Sequence, residues 1–134
     1  MSAFVGDWYC TETENLGTLL TVLNANDKLK ANAEDTRARL IISKLGAEKF
    51  NFKLITNSIV HQYTFQLGRE FIEFAPEKQK FKTVITQESE TQLKKVQMKK
   101  DIQVCILYDL VGNDKLIVTT SSGGTKATIT FVRR

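Results

Sequence analysis

From Thr36 to the C-terminus, apolar and polar residues alternate in short runs broken by turn-forming residues. This alternation predicts strands over 37–44, 48–55, 59–67, 70–74, 80–87, 91–98, 102–110, 115–121 and 125–132, with 5–12 ahead of them. Leu45-Gly46, Leu67-Gly68, Ala75-Pro76, Glu88-Ser89-Glu90, Gly112-Asn113-Asp114 and Ser122-Gly123-Gly124 supply the turns. Pro76, the sole proline, falls where a missing N–H costs nothing. Ten short strands with little else predict an all-β, up-and-down antiparallel barrel, because closure removes the exposed sheet edges.

Helical periodicity is confined to residues 15–33. Leu16, Leu19, Leu20 and Leu23 fall at i, i+3, i+4 and i+7, one stripe of a helix. Asn15 stands as its N-cap. Asn24-Ala25 reads as a break, and a second helix can start at Asn26 with Asp27 in its first turn. That helix places Leu29 and Ala33 on one side and Lys28 and Lys30 on the other. Helices this short are marginal alone and need a surface to sit on, so a helix-turn-helix lid over the barrel is expected. On the first strand, Phe4-Val5-Gly6-Asp7-Trp8 lets a backbone pass close under a large indole that can plug the barrel's end. A plugged and lidded barrel encloses a space.

The strand faces suggest what that space contains. One face of 61–67 reads His61, Tyr63, Phe65 and Leu67, and one face of 93–97 reads Leu93, Lys95 and Gln97. A solid core would not take Lys95 and Gln97 without partners. Either that face is solvated, or the interior is a cavity that holds polar groups.

At 134 residues, with 42% hydrophobic and 25% charged content, the chain is expected to form a single domain over 1–134. A net charge of +4 and a pI of about 9.1 permit acidic lipid or nucleic-acid partners without demanding either. Cys10 and Cys105 lack metal-ligand spacing and read as reduced packing thiols. The N-terminus has no positive n-region followed by an apolar h-region, and no run reaches the ~20 apolar residues that span a bilayer, so a cytoplasmic protein is expected; separately, a monomer is expected.

Enzymatic chemistry finds no support in the motifs. His61, the single histidine, has no nucleophile motif beside it, and no P-loop, dinucleotide fingerprint or zinc spacing occurs. No metal or cofactor is expected. A nucleic-acid-binding barrel is the alternative from another class: Lys78, Lys80 and Lys82, and Lys94, Lys95, Lys99 and Lys100, lie near Phe74 and Phe81. Phe81 fits the buried phase, and solvated faces account for the lysines, so no nucleic-acid partner is expected.

Phe4-Val5-Gly6-x-Trp8, Glu14-Asn15-Leu16 opening a helix pair, Ile41-Ile42-Ser43-Lys44 and Phe65-x-Leu67-Gly68-x-Glu70-Phe71 together resemble the intracellular lipid-binding proteins. The fatty-acid-binding proteins are the best-known members of that family. Phe71-x-Glu73, Lys82-Thr83-x-Ile85-Thr86 and Val96-Gln97 extend the resemblance over nearly the whole chain. It implies a ten-stranded flattened barrel, or β-clam, with a helix-turn-helix lid after the first strand. It also implies reversible binding and intracellular transport of a long-chain fatty acid or similar lipid.

The chain departs from the family where many members hold the fatty-acid carboxylate. Those members end in Arg-x-Tyr on the last strand and carry a second Arg two strands earlier. Here Ile129 and Phe131 occupy the first two positions, and the second Arg falls on Tyr108 or Asp109. Alternation of Ile106, Tyr108 and Leu110 favours Tyr108 facing inward. Arg133 and Arg134 read as frayed tail residues. The expected ligand-binding residues are therefore Tyr108, Ile106, Ile129, Phe131, Lys95, Gln97, His61 and Tyr63, with Lys28, Leu29 and Lys30 of the lid meeting anionic membranes transiently. Three ligand modes stay open: an uncharged head such as a retinoid, sterol or acylglycerol; a head-outward acid; or a carboxylate met by Lys95.

Overall fold

The alternating segments pair as ten antiparallel strands in the computed structural model, which describes residues 2–22, 38–56, 60–75 and 79–134. They are β1 (Gly6–Glu14), β2 (Arg39–Lys44), β3 (Lys49–Ile55), β4 (Val60–Gln66), β5 (Phe71–Ala75), β6 (Gln79–Ser89), β7 (Gln92–Lys99), β8 (Ile102–Val111), β9 (Lys115–Ser122) and β10 (Thr125–Arg133). Neighbours in sequence are neighbours in the sheet, and β1 pairs with both β2 and β10. The sheet therefore curls into a barrel whose only break in the ladder among the described strands lies between β4 and β5.

Two strands, β1 and β6, run two residues past their expected ends, and each carries a bulge near that end. The register of β1 shifts between Cys10 and Glu12, and that of β6 between Gln87 and Ser89. A bulge adds a residue and bends the strand without ending it, which suits a curling sheet.

Side chains and a turn bridge the β4–β5 break. Gly68 takes a left-handed φ of 74°, a conformation that favours glycine, and its N–H donates to the Ile85 carbonyl at 2.8 Å. The adjacent Leu67 N–H donates to the Glu48 carbonyl at 3.2 Å, so the turn is fastened on both sides of the break. Phe71 stacks on Tyr63 at 5.7 Å between ring centroids and on Phe65 at 6.2 Å.

Part of the interior is packed solid. Phe4, Trp8, Ile42, Phe50, Phe65, Ile85, Leu93 and Leu116 are buried in one continuous apolar cluster. The Trp8 indole donates to the Phe4 carbonyl at 3.0 Å, which folds the short 3₁₀ turn Ser2–Phe4 against the barrel.

Arg133 is not a frayed tail residue. Its guanidinium lies 4.3 Å from the Trp8 ring and donates to the carbonyls of Val5 at 2.7 Å, Ala3 at 2.8 Å and Asn113 at 2.8 Å. Gly6 makes room for it, since a Cβ there would collide with the guanidinium. Arg134 is also engaged, its N–H donating to the Asp7 carbonyl at 3.0 Å. Neither arginine enters the barrel interior, because β1 and the N-terminal turn occupy both.

After β1, α1 (Leu16–Val22) packs against β10 and β9 and buries Leu19. Asn15 stands before it with a left-handed φ of 63°, and its carbonyl accepts from Leu19 N–H at 3.2 Å. Its side-chain amide donates to the Lys126 carbonyl at 2.7 Å, tying the helix start to β10. The expected second lid helix, with Lys28, Leu29 and Lys30, lies outside the described residues, as does Pro76.

Arg133→Ala removes a charged donor from three carbonyls and should lower the unfolding free energy by about 1.5–3 kcal/mol in a denaturant titration. A change within about 0.5 kcal/mol, typical of an unengaged surface residue, would contradict this role.

Candidate functional site

The strand phase decides which side chains face inward. Lys95 pairs with Ile85 and Ile106, Gln97 with Thr83 and Val104, and Leu93 with Tyr108, all on the inner face. Tyr108, not Asp109, is the inward residue: it is buried with its ring edge-on to Phe52 at 5.5 Å. Asp109 instead accepts from Gln92 at 2.8 Å.

Where the inward residues do not fill the barrel, they line a cavity of about 240 Å³. That exceeds the ~150 Å³ of an engineered apolar packing void that takes up benzene. Its walls are largely apolar, from Leu40, Phe52, Leu54, Ile106, Val118, Ile129 and Phe131. Its polar side comprises His61, Tyr63, Glu73, Lys95, Gln97, Tyr108 and Thr120. All eight barrel residues expected at the site line this one cavity. A larger open depression of about 830 Å³ lies over β5–β7 among lysines and the exposed Ile72, Phe74 and Met98. No cluster of buried polar groups converges there, so the cavity inside the barrel is the candidate site. Of the aromatics considered for base stacking, Phe74 is exposed beneath Lys80, whereas Phe81 pairs with Glu73 on the inner phase.

The polar side is organised around Glu73, which no expectation included. Its side chain is 1% exposed, and its carboxylate accepts four hydrogen bonds. Oε2 receives His61 Nε2 from β4 at 2.6 Å and Lys95 Nζ from β7 at 2.9 Å. Oε1 receives Thr83 Oγ1 from β6 at 2.9 Å and Gln97 Nε2 from β7 at 2.9 Å. A carboxylate offers about four acceptor positions, so this one is saturated. Lys95 also donates to the Tyr63 hydroxyl at 2.8 Å, with its ammonium 4.4 Å from the Tyr63 ring centroid.

Burial alone would push the Glu73 carboxyl up, but the donors from His61 and Gln97 and the Lys95 charge outweigh it and hold it at about 2. Burial lowers Lys95, and the Glu73 carboxylate opposes that shift. Burial, reinforced by the negative charge of Glu73, raises Tyr63 and Tyr108, so both phenols keep their protons. The cluster thus presents a matched ion pair and neutral hydroxyls. Among the described residues, no group of three or more His, Cys, Asp or Glu side chains converges on a metal position.

Glu73 was legible only as the second inward position of Phe71-x-Glu73 on a five-residue strand. Its opposition to Lys95 across three strands carries no local signal.

A barrel of this topology with an internal polar cluster can be compared with known proteins. No protein-family model matches the chain. A fatty acid-binding protein of Clonorchis sinensis is 30% identical over 134 residues, covering 100% of this chain and 97% of the relative. The chain belongs to the fatty-acid-binding protein family. Two solved structures share the fold at 21% identity. Fatty-acid-binding protein 1 of Echinococcus granulosus superposes with a TM-score of 0.92 over 99% of this chain and 98% of its own. The Schistosoma mansoni fatty acid binding protein in complex with arachidonic acid gives 0.92 over 100% and 98%. The fatty-acid-binding fold places Ile129 and Phe131 on the cavity wall, and among the described residues no arginine lines this cavity.

Because the folded Glu73 carboxyl releases its proton more readily than an unfolded one at 4.5, it adds stability that is complete above about pH 4.5 and lost as pH falls to about 2. The stability advantage of wild type over Glu73→Gln should therefore shrink by about 3 kcal/mol between about pH 5 and about pH 2 in denaturant titrations. A difference independent of pH would show that Glu73 is not held ionised by its partners.

Proposed function

We propose that this protein binds a long-chain fatty acid or related hydrophobic lipid non-covalently in the barrel cavity and carries it through the cytoplasm as a monomer, without chemical conversion. The observation that carries this reading is a barrel cavity with largely apolar walls and a cluster of polar groups among its lining residues. Membership of the fatty-acid-binding protein family supports it, as does the arachidonic acid held by the Schistosoma mansoni neighbour of the same fold. Burying about fifteen methylenes supplies on the order of 10 kcal/mol before ordering costs, so the acyl chain can dominate affinity without an arginine anchor.

A second reading, an uncharged lipid such as a retinoid, sterol or acylglycerol, is favoured by one specific feature. The only buried cation on the described cavity wall, Lys95, is already paired with Glu73. For delivery, Lys28, Leu29 and Lys30 are proposed to touch anionic membranes, each lysine adding about 1 kcal/mol near the surface. No helix among the described residues is long and apolar enough to cross a membrane.

The test is displacement of a fluorescent lipid from the delipidated protein by a long-chain fatty acid and by the matching alcohol. Both should displace it stoichiometrically, and Phe131→Asp or Ile129→Asp should weaken both by about tenfold or more, since a charge would then line the acyl wall. Transfer from the loaded protein to anionic vesicles should slow in the Lys28→Glu, Lys30→Glu double variant. Failure of both ligands to bind would overturn the carrier reading, and unchanged transfer would remove the lid lysines from delivery.

A further inference from the structure

Among the described residues, the polar side of the cavity holds a Glu73–Lys95 ion pair that is matched before any ligand arrives. The titratable groups among the described residues that face this side are His61 and Tyr63 from β4, Glu73 from β5, Lys95 from β7 and Tyr108 from β8. Thr83, Gln97 and Thr120 complete it with neutral groups from β6, β7 and β9. Within this set the Glu73 carboxylate and Lys95 ammonium cancel at 2.9 Å, and both are almost fully buried. Glu73 has no acceptor position left, and Lys95 cannot turn fully to a second anion without stranding Glu73.

A fatty-acid carboxylate entering this side would add a second negative charge to the matched Glu73–Lys95 pair. A buried unmatched negative charge takes up a proton in preference to persisting. The ligand's own carboxyl group is the position that accepts it, beside a Glu73 carboxylate that His61 already meets at 2.6 Å. An alcohol, ester or amide head raises no such demand. It can hydrogen-bond to the protonated Tyr108 phenol without disturbing the ion pair.

We propose that the cavity takes its lipid as an electroneutral unit, so that an uncharged head enters unaided and a carboxylic acid enters only together with one proton from solution. The inference rests on the reading of the cavity as a lipid site, and it names the head-group chemistry that site selects. Mass balance for the acid is one carboxylate plus one proton per protein, with no bond made or broken other than to that proton.

The experiment compares oleate, below its aggregation concentration, with oleyl alcohol in the displacement assay from about pH 7 to about pH 9, where free carboxylic acids are ionised. Oleate affinity should fall about tenfold per pH unit, the signature of one linked proton, while oleyl alcohol stays unchanged. Calorimetric titration of oleate in two buffers of different ionisation enthalpy should return one proton taken up per acid bound. In Glu73→Gln the cluster keeps the Lys95 charge and loses the opposing one. Oleate should then enter as the anion, and the pH slope should vanish. The wild-type comparison stands without any variant. Tight oleate binding with equal affinity across this range and no proton uptake would overturn the proposal while leaving the lipid-site reading intact. A slope that persists in a folded Glu73→Gln would also overturn it. If neither oleate nor its alcohol binds, both readings fall together.

Discussion

A carboxylate sealed inside a barrel must be met from every side, and the rest of this structure is arranged around that demand. Glu73 lies on β5, an edge strand whose ladder partner on one side is missing. Its four donors come from β4, β6 and β7, and one of them, His61, lies on the opposite edge of the break. The same group therefore joins the two edges and sets the polarity of the space behind them. Without those donors a buried carboxylate would cost several kcal/mol. With them, it holds Lys95 in the interior, and Lys95 in turn orients Tyr63.

This arrangement explains how a member of the fatty-acid-binding protein family can lack arginine on its described cavity wall. Ile129 and Phe131 continue the apolar lining, and Tyr108 contributes a neutral hydroxyl beside Tyr63. The positive charge that remains inside, Lys95, belongs to the protein's own ion pair. Affinity is left to the acyl chain, and discrimination among heads is left to charge balance. That division is physically reasonable because apolar burial is proportional to area, whereas an unmatched buried charge is penalised regardless of chain length.

Much of the fold was legible because it is written in local alternation. Period-two patterning located all ten strands to within two residues or so, and the misplaced ends of β1 and β6 coincide with bulges, which alternation cannot anticipate. The inward phase of Lys95, Gln97, His61 and Tyr63 was readable for the same reason, and so was the choice of Tyr108 over Asp109. What could not be read is non-local. Glu73 meets partners 10 to 24 residues away, and nothing near it in sequence marks it as the group that gathers them. Arg133 looked like a tail residue because its acceptors Val5 and Ala3 lie 128 and 130 residues away, brought near only by the β1–β10 pairing.

The most direct test of the account is a double-mutant cycle on Glu73→Gln and Lys95→Met, read as unfolding free energy near neutral pH. If the buried pair is the organising contact, either single change strands a group and costs about 3–5 kcal/mol. The double variant should then be more stable than the sum of the two losses implies, by about 2–3 kcal/mol. Losses that add to within about 0.5 kcal/mol would mean that the two residues do not depend on one another, and the account built on their pairing would fail.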